Sequence, residues 1–209
     1  WLMDIFAHVN PVDHSLQSLA EHQRETARHA SEFASQFGCS SYGSLLGNIH
    51  DVGKANLQWQ HYLFVTSGYD TSIPRNQCEK GHHSSAGAQY LLKQYPQKFP
   101  LNLLLAYIVA GHHAGLPDYN EGNGISLASI LYKDGNVLKN DELEKLENWE
   151  NDECQLKFPV EMPKISSPKY VHVWVRMLYS CLVDADWLDT ERFMEPKDHE
   201  MRGETVSLK

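Results

Sequence analysis

The sequence predicts an all-α domain. Apolar residues recur every three or four positions over several segments of ten residues or more, which is typical of helices with one buried face. Glycine or proline follows most of these segments, at the positions where a helix is expected to stop. The stretch 170–177 alternates enough to fit a strand, but it also continues a helical spacing that extends to Trp187. We therefore interpret it as the start of a helix.

Most of the predicted helices lie in the first half of the chain. The first is amphipathic and stops at Gly38, the second is closed by Gly53, and the fourth is ended by Pro96. The fifth is strongly apolar, so we expect it to be buried. The predicted segments are 15–37, a helix ending over 45–50, 54–65, 84–95 and 101–111.

The region between about 118 and 168 differs in character from the rest. Residues 141–153 contain seven acidic residues and one lysine, with little apolar face, which indicates a solvated insertion on the rim of the domain. The core resumes at Tyr170 with the last predicted helix. We expect one domain over 1–195, followed over 196–209 by a polar tail or the start of a linker.

Composition excludes several classes of protein. Apolar residues make up 42% and charged residues 22% of the 209 residues, which is typical of a globular domain rather than a disordered chain. No apolar run approaches the ~18 residues needed to cross a bilayer, so no membrane partner is expected. The four cysteines form no CxxC pair, which favours reduced thiols in a cytoplasm. The net charge of -9 argues against a general nucleic-acid-binding module.

Histidine is unusually frequent, with twelve in the chain, and several stand beside Gly or Asp. The sharpest motif runs from His50 and Asp51 through Gly53 to Lys54. Imidazole and carboxylate groups are common metal ligands, and its two carboxylate oxygens would allow Asp51 to bridge two ions. Gly53 permits a tight turn, and Lys54 places a cation where a phosphate oxygen would lie.

Four further elements extend this pattern. Neighbouring side chains on a helix point ~100° apart, so adjacent histidines can share a metal only where the helix ends. Gly115 and Pro117 supply such an end after His112 and His113. The other elements are His82 and His83 at a predicted helix start, Asp184 on an apolar helix, and His22 on the inner side of the first helix.

Each of these residues has an ordinary explanation when it is taken alone. His22 would be a surface histidine, Asp184 a hydrogen-bonded buried acid, and Lys54 a surface lysine. The pair His112 and His113 would cap a helix C-terminus. Their joint presence in one order favours a metal site. We interpret the remaining histidines as structural or surface residues: His8, His14, His29, His61, His172 and His199.

The order H…HD…H…HH…D resembles the HD phosphohydrolase superfamily. The strings LLGNIHDVGKANLQWQHYL, HHSSAGAQYLL, AYIVAGHHAGLPD and LYSCLVDADWLDTE are similar to the HD nuclease domain of the CRISPR-associated helicase-nuclease of type I systems. The similarity extends from about His8 to Glu191. The family's usual continuation, a helicase motor, does not follow in this sequence.

The resemblance implies an HD-domain helical bundle with a two-metal site in its core. One metal would be held by His22, His50, Asp51 and Asp184. The second would be held by Asp51, His83, His112 and His113, with Asp51 bridging the two ions. Lys54 matches the family's active-site lysine, so Asp51 and Lys54 are the expected catalytic residues. The resemblance favours His83 over His82 and gives no metal role to Asp186.

Imidazole-rich ligands favour Mn, Fe, Co or Ni over magnesium. The resemblance implies a single-stranded DNA substrate that is nicked and then degraded. It also implies a helicase motor in cis or in trans, and an RNA-guided CRISPR surveillance complex as a partner.

Two other functions stay open on the sequence. An HD phosphohydrolase of small nucleotides would use the same ligands. Its branch for cyclic dinucleotides carries Gly-Tyr-Pro where this chain has Gly115, Leu116 and Pro117, which disfavours that branch. A non-catalytic docking module would keep the metal for structure, but structural metal sites are usually closed to water.

Overall fold

The computed structural model describes residues 5–78, 83–119, 126–132, 157–160, 163 and 165–202. It is mostly helical and encloses a buried cluster of His and Asp residues, which confirms the all-α prediction. None of the helices it describes combines the length and apolar character needed to cross a membrane. The acidic residues 141–153 of the predicted insertion, His82 and residues 203–209 lie outside the described residues.

Helices α1 (Leu19–Ser35) and α2 (Ser40–Ile49) pack with their backbones close together. A Cβ atom on Gly47 would lie 2.4 Å from the Ala27 Cα atom, and one on Gly43 would lie 2.2 Å from the Ala30 carbonyl oxygen. Both distances are far below van der Waals contact, so only glycine fits at these positions. This close approach brings the end of α2, where the HD motif begins, beside the inner face of α1.

A second close approach fixes the turn that follows α2. The 3-10 turn Val52–Ala55 precedes α3 (Leu57–Ser67), and α4 (Ser84–Gln94) packs against the turn. A Cβ on Gly53 would lie 2.3 Å from the His83 carbonyl oxygen, and one on Gly87 would lie 2.3 Å from the Ile49 carbonyl oxygen. Gly53 has no positive φ angle, so it is needed for this contact and not for the turn that the sequence suggested.

The remaining helices complete the core. Helix α5 (Leu101–Gly111) has the predicted bounds, and Gly115 follows it with a φ of +91°. Helix α6 (Leu127–Tyr132) is short, and α7 (Val171–Met194) packs against α1, α2 and α5. A last short helix, α8 (Pro196–Met201), occupies part of the predicted polar tail.

A short β-hairpin departs from the all-helical prediction. Strands β1 (Phe6–Val9) and β2 (Leu16–Ser18) are antiparallel, with His8 opposite Gln17. The prediction that the first helix begins at Ser15 was therefore wrong, because residues 16–18 form backbone hydrogen bonds with β1 instead. Ser18 caps α1 by accepting a hydrogen bond from the Glu21 amide at 3.1 Å.

Candidate metal centre

Asp51 lies at the centre of the buried cluster and has no exposed surface. Its Oδ1 atom is 3.4 Å from His83 Nε2 and 3.4 Å from His112 Nε2. Its Oδ2 atom is 3.3 Å from His22 Nε2 and 3.4 Å from His50 Nε2. Each carboxylate oxygen therefore faces a different pair of imidazoles, which is the arrangement expected of a bridging ligand.

The first group of potential ligands joins α1, α2 and α7. It consists of His22, His50, Asp51 and Asp186, each offering one ligand atom within 4.8 Å of all the others. Asp186 Oδ1 lies 3.3 Å from His22 Nε2 and 3.6 Å from His50 Nε2. Both histidines are completely buried.

The second group lies on the other side of Asp51 and draws on α4 and the end of α5. It consists of Asp51, His83, His112 and His113, again within 4.8 Å of one another. His83 Nε2 and His113 Nε2 are only 2.7 Å apart. His112 is buried, His83 is partly exposed and His113 is exposed, so this group opens toward solvent.

The structure corrects the assignment of Asp184. Asp184 is exposed on α7, whereas Asp186, for which the resemblance implied no metal role, lies beside His22 and His50. At 100° per residue, Asp184 and Asp186 point 200° apart, whereas Asp186 and Asp189 differ by only 60°. Asp189 contacts His22, so the side of α7 that faces α1 is the side of Asp186.

Hydrogen bonds at the far ring nitrogens set the imidazole tautomers. His50 Nδ1 donates to the Gly47 carbonyl oxygen at 2.8 Å, and His112 Nδ1 donates to the Val109 carbonyl oxygen at 2.6 Å. A carbonyl oxygen can only accept, so Nδ1 carries the proton and Nε2 is left to act as a ligand. His22 Nδ1 lies 2.7 Å from Asp189 Oδ2 in the same role.

Lys54 extends from the 3-10 turn into the same cluster and is only 4% exposed. Its Nζ atom lies 2.6 Å from Asp51 Oδ2 and 3.2 Å from His8 Nε2. The ammonium group also sits 5.2 Å from the centre of the Trp59 ring. A buried lysine thus lies directly beside the proposed bridging carboxylate.

The electrostatics of the first group are those of a compact ion cluster. Burial acts to lower the pKa of His22, but the neighbouring carboxylates of Asp186, Asp189 and Asp51 outweigh it and raise that pKa to about 10. Burial opposes the charge of His50 too, yet Asp51 and Asp186 raise its pKa to about 9. In the metal-free protein these two imidazoles are therefore protonated on both ring nitrogens and positively charged at neutral pH.

The open side of the cluster behaves in the opposite way. Partial removal from water lowers the pKa of His83 to about 3, and the same effect together with the neighbouring His112 lowers the pKa of His113 to about 4. Burial acts to raise the pKa of Asp51, but Lys54 and His50 hold it well below its usual range. His83 and His113 are therefore neutral at pH 7, as metal ligands must be.

The profile of a protein family described as "Cas3, HD domain" matches residues 3–191. The chain belongs to the Cas3 HD domain family. This membership makes it, in general terms, a CRISPR-associated HD nuclease or phosphohydrolase. Among curated proteins, none matches the chain significantly.

The Cas3 HD family implies divalent metals, and the residues of this chain fit them. Five buried side-chain atoms in the cluster have no hydrogen-bond partner: His22 Nε2, His50 Nε2, His112 Nε2 and both oxygens of Asp51. Lys54 forms an ion pair with Asp51 but makes no hydrogen bond to its carboxylate oxygens. Unpartnered buried polar atoms cost free energy, and here they converge from several helices on two points. Imidazole nitrogens and carboxylate oxygens are the donors that transition metals prefer.

Sequence reasoning missed the residues that hold the ligands in place. Asp189 is completely buried and accepts hydrogen bonds from His22, Gln17 and Arg192. Its signal was available, because it follows Asp186 by three positions on the same helix. His8, which we expect from the sequence to be a structural or surface residue, contacts Lys54. Its surroundings depend on the β-hairpin, which no clear sequence pattern predicts.

Proposed function

We propose that this chain is a metal-dependent deoxyribonuclease that cleaves single-stranded DNA during CRISPR interference. The observation that carries the proposal is the pair of ligand groups that share Asp51, one on each carboxylate oxygen. Two-metal sites of this kind are typical of enzymes that hydrolyse phosphodiesters. Family membership limits the chemistry to that general class.

Each ligand set follows from the two groups. His22, His50, Asp51 and Asp186 would hold one divalent ion, and Asp51, His83, His112 and His113 would hold the other. When bound, such ions stabilise negative charge on phosphoryl oxygens and activate a water molecule. The five imidazoles favour Mn, Fe, Co or Ni.

Lys54 binds the substrate in this proposal. Its ammonium is buried beside Asp51, forms an ion pair with Asp51 and donates a hydrogen bond to His8. The remaining donor capacity of the ammonium would serve a phosphate oxygen of the scissile group. Lys54 thus positions the phosphate and offsets its charge without serving as a metal ligand.

Burial supports a single strand as the substrate. Asp51, His22 and His50 have no exposed surface, whereas His113 is exposed, so the phosphate must enter from the side of α4 and α5. A flexible single strand can bend a phosphate into a recessed site, while a duplex holds its phosphates on a stiff frame. We propose that the strand is nicked first and then degraded.

The net charge of -9 means that the domain alone has little electrostatic affinity for DNA. We infer that a helicase motor, in cis or in trans, feeds unwound DNA to the site, and that an RNA-guided surveillance complex recruits it. The location of this activity would be the cytoplasm.

The test is a metal-stripped preparation that is reloaded with Mn, Fe, Co, Ni or Mg in turn. Each form is assayed on single-stranded DNA, on a duplex of the same sequence and on free dNTPs. We expect cleavage of the single strand with the transition metals and little with Mg. Hydrolysis of dNTPs without DNA cleavage would favour a small-nucleotide phosphohydrolase, and retention of metal without any hydrolysis would favour a docking module.

A further inference from the structure

We propose that His8, in β1, is a positioning residue that holds the Lys54 ammonium group at the reaction site. This inference rests on the proposed function, because Lys54 is its phosphate-binding group. His8 Nε2 lies 3.2 Å from Lys54 Nζ. An ammonium group can only donate, so Nε2 must be the unprotonated acceptor of this hydrogen bond.

The tautomer that this contact requires is set by the other strand of the hairpin. His8 Nδ1 lies 2.7 Å from Gln17 Oε1, and an amide oxygen only accepts, so Nδ1 carries the proton. The Gln17 amide is oriented in turn, because its Nε2 atom donates to Asp189 Oδ2 at 2.8 Å. A carboxylate cannot donate, which excludes the flipped amide.

Donors and acceptors therefore run consistently from Lys54 to the metal ligand His22. Lys54 donates to His8, His8 donates to Gln17, and Gln17 donates to Asp189. The same Asp189 oxygen is the partner of His22 Nδ1 at 2.7 Å. One set of hydrogen bonds thus orients both the phosphate-binding lysine and a metal ligand.

Hydrogen bonds from one side chain to the backbone hold β1 in place relative to Lys54. The Gln60 side chain from α3 accepts from the Phe6 amide at 3.1 Å and donates to the Phe6 carbonyl oxygen at 2.8 Å. Its Nε2 atom also donates to the Lys54 carbonyl oxygen at 2.7 Å. The His8 ring packs edge-on against the His22 ring, with centroids 4.6 Å apart. His8 is consequently held between the two groups that it connects.

The experiment compares His8→Phe, which keeps a ring but removes the acceptor, with His8→Gln, whose amide oxygen can replace Nε2. Losing a hydrogen bond to a charged group should lower kcat/KM on single-stranded DNA about tenfold in His8→Phe. His8→Gln should recover most of this loss, and both variants should retain the metal content of the parent. The exposed His61, changed to Phe, is the matched control.

The decisive comparison repeats His8→Phe in a Lys54→Met background. If His8 acts through Lys54, the second substitution adds no further loss, because residues that act as a unit are not additive. An equal loss in both backgrounds, or parental activity in His8→Phe, would overturn the inference.

A readout without activity separates this inference from the proposed function. In ¹⁵N-detected spectra of the histidine rings, the His8 Nε2 resonance should show an Nδ1–H tautomer and should shift in Lys54→Met. That variant leaves His8 intact, so the measurement stands even if His8→Phe fails to fold. An unchanged resonance would refute the contact. A parent protein that cleaves no DNA but shows the shift would refute only the proposed function.

Discussion

The two halves of the candidate site differ in how firmly their imidazoles are held. His22 and His50 are completely buried, and each has its Nδ1 atom fixed by a partner, Asp189 Oδ2 or the Gly47 carbonyl oxygen. In the other half, His112 is anchored in the same way, but His83 and His113 are more exposed. Among the described residues, neither His83 Nδ1 nor His113 Nδ1 has a hydrogen-bond partner.

The difference assigns separate roles to the two halves. A buried ligand set whose ring orientations are fixed in advance needs little rearrangement, so it should bind its ion tightly. An open set with adjustable rings can exchange its ion more easily and can admit a phosphate. We therefore expect a resident ion among His22, His50 and Asp186, and an exchangeable ion among His83, His112 and His113.

The largest expected effect comes from Asp51→Ala, because Asp51 is the ligand that both halves share. Loss of charge stabilisation worth several kcal/mol should lower cleavage of single-stranded DNA by roughly 10³-fold or more. Metal analysis should show that both ions are lost, while the helical circular dichroism spectrum is retained. Activity within about threefold of the parent, a difference below ~1 kcal/mol, would rule out a shared ligand.

A smaller effect, confined to the buried half, is expected from Asp186→Ala. It should remove the resident ion and most of the cleavage activity, because Asp186 lies beside both His22 and His50. Asp184→Ala, two positions away on the exposed side of α7, is the matched control and should keep parental activity and metal content. The reverse result for the two variants would restore Asp184 as the ligand.

Asp189→Asn should weaken the buried half without removing a ligand. Asp189 holds the His22 ring, and replacing such a partner typically lowers metal affinity by about 10–100-fold. Competition with a fluorescent chelator would measure the change, and Asp198→Asn on the exposed helix α8 is a suitable control. If affinity is unaffected, the orientation of His22 does not depend on this carboxylate.

The smallest effect is a difference in pH dependence. An ion entering the buried half must displace protons from His22, with a pKa of about 10, and from His50, with a pKa of about 9. Metal affinity there should rise with pH through neutrality, by about tenfold per pH unit for each displaced proton. His83 and His113, with pKa values of about 3 and about 4, are already neutral and should add no such slope.

Chelator titrations of His113→Ala, which keeps the buried set, and of Asp186→Ala, which keeps the open set, would compare the slopes of metal affinity against pH. Equal slopes of metal affinity against pH for the two variants would contradict this difference between the two halves of the site.

The sequence predicted the positions of the helices better than it predicted which side of a helix faces the site. Helix α5 has the predicted bounds because its apolar run ends at glycine. The predicted ligands in α1, α2, α4 and the end of α5 do come together, since each stands in a compact motif at a helix end or on a buried face. The resemblance implies Asp184, but Asp184 and Asp186 lie in one apolar helix, and only packing against α1 determines which of them faces His22.

Contacts between residues that are far apart in the chain were also not predictable from the sequence. Leu16 and Leu19 fit a helical spacing, yet residues 16–18 pair with β1, which their own sequence does not specify. The contacts from His8 to Gln17 and from Gln17 to Asp189 exist only once this hairpin has packed against α7. These contacts orient the ligands, and they involve residues whose types are unremarkable in isolation.

We propose that two ions share Asp51, one on each carboxylate oxygen. Crystals grown with Mn or Co and measured at the absorption edge of that metal would test it directly. We expect two anomalous peaks on opposite sides of Asp51, one among His22, His50 and Asp186, the other among His83, His112 and His113. The peak in the buried half should be the stronger after brief chelation. A single peak, or a peak coordinated by Asp184, would contradict this arrangement of two ions.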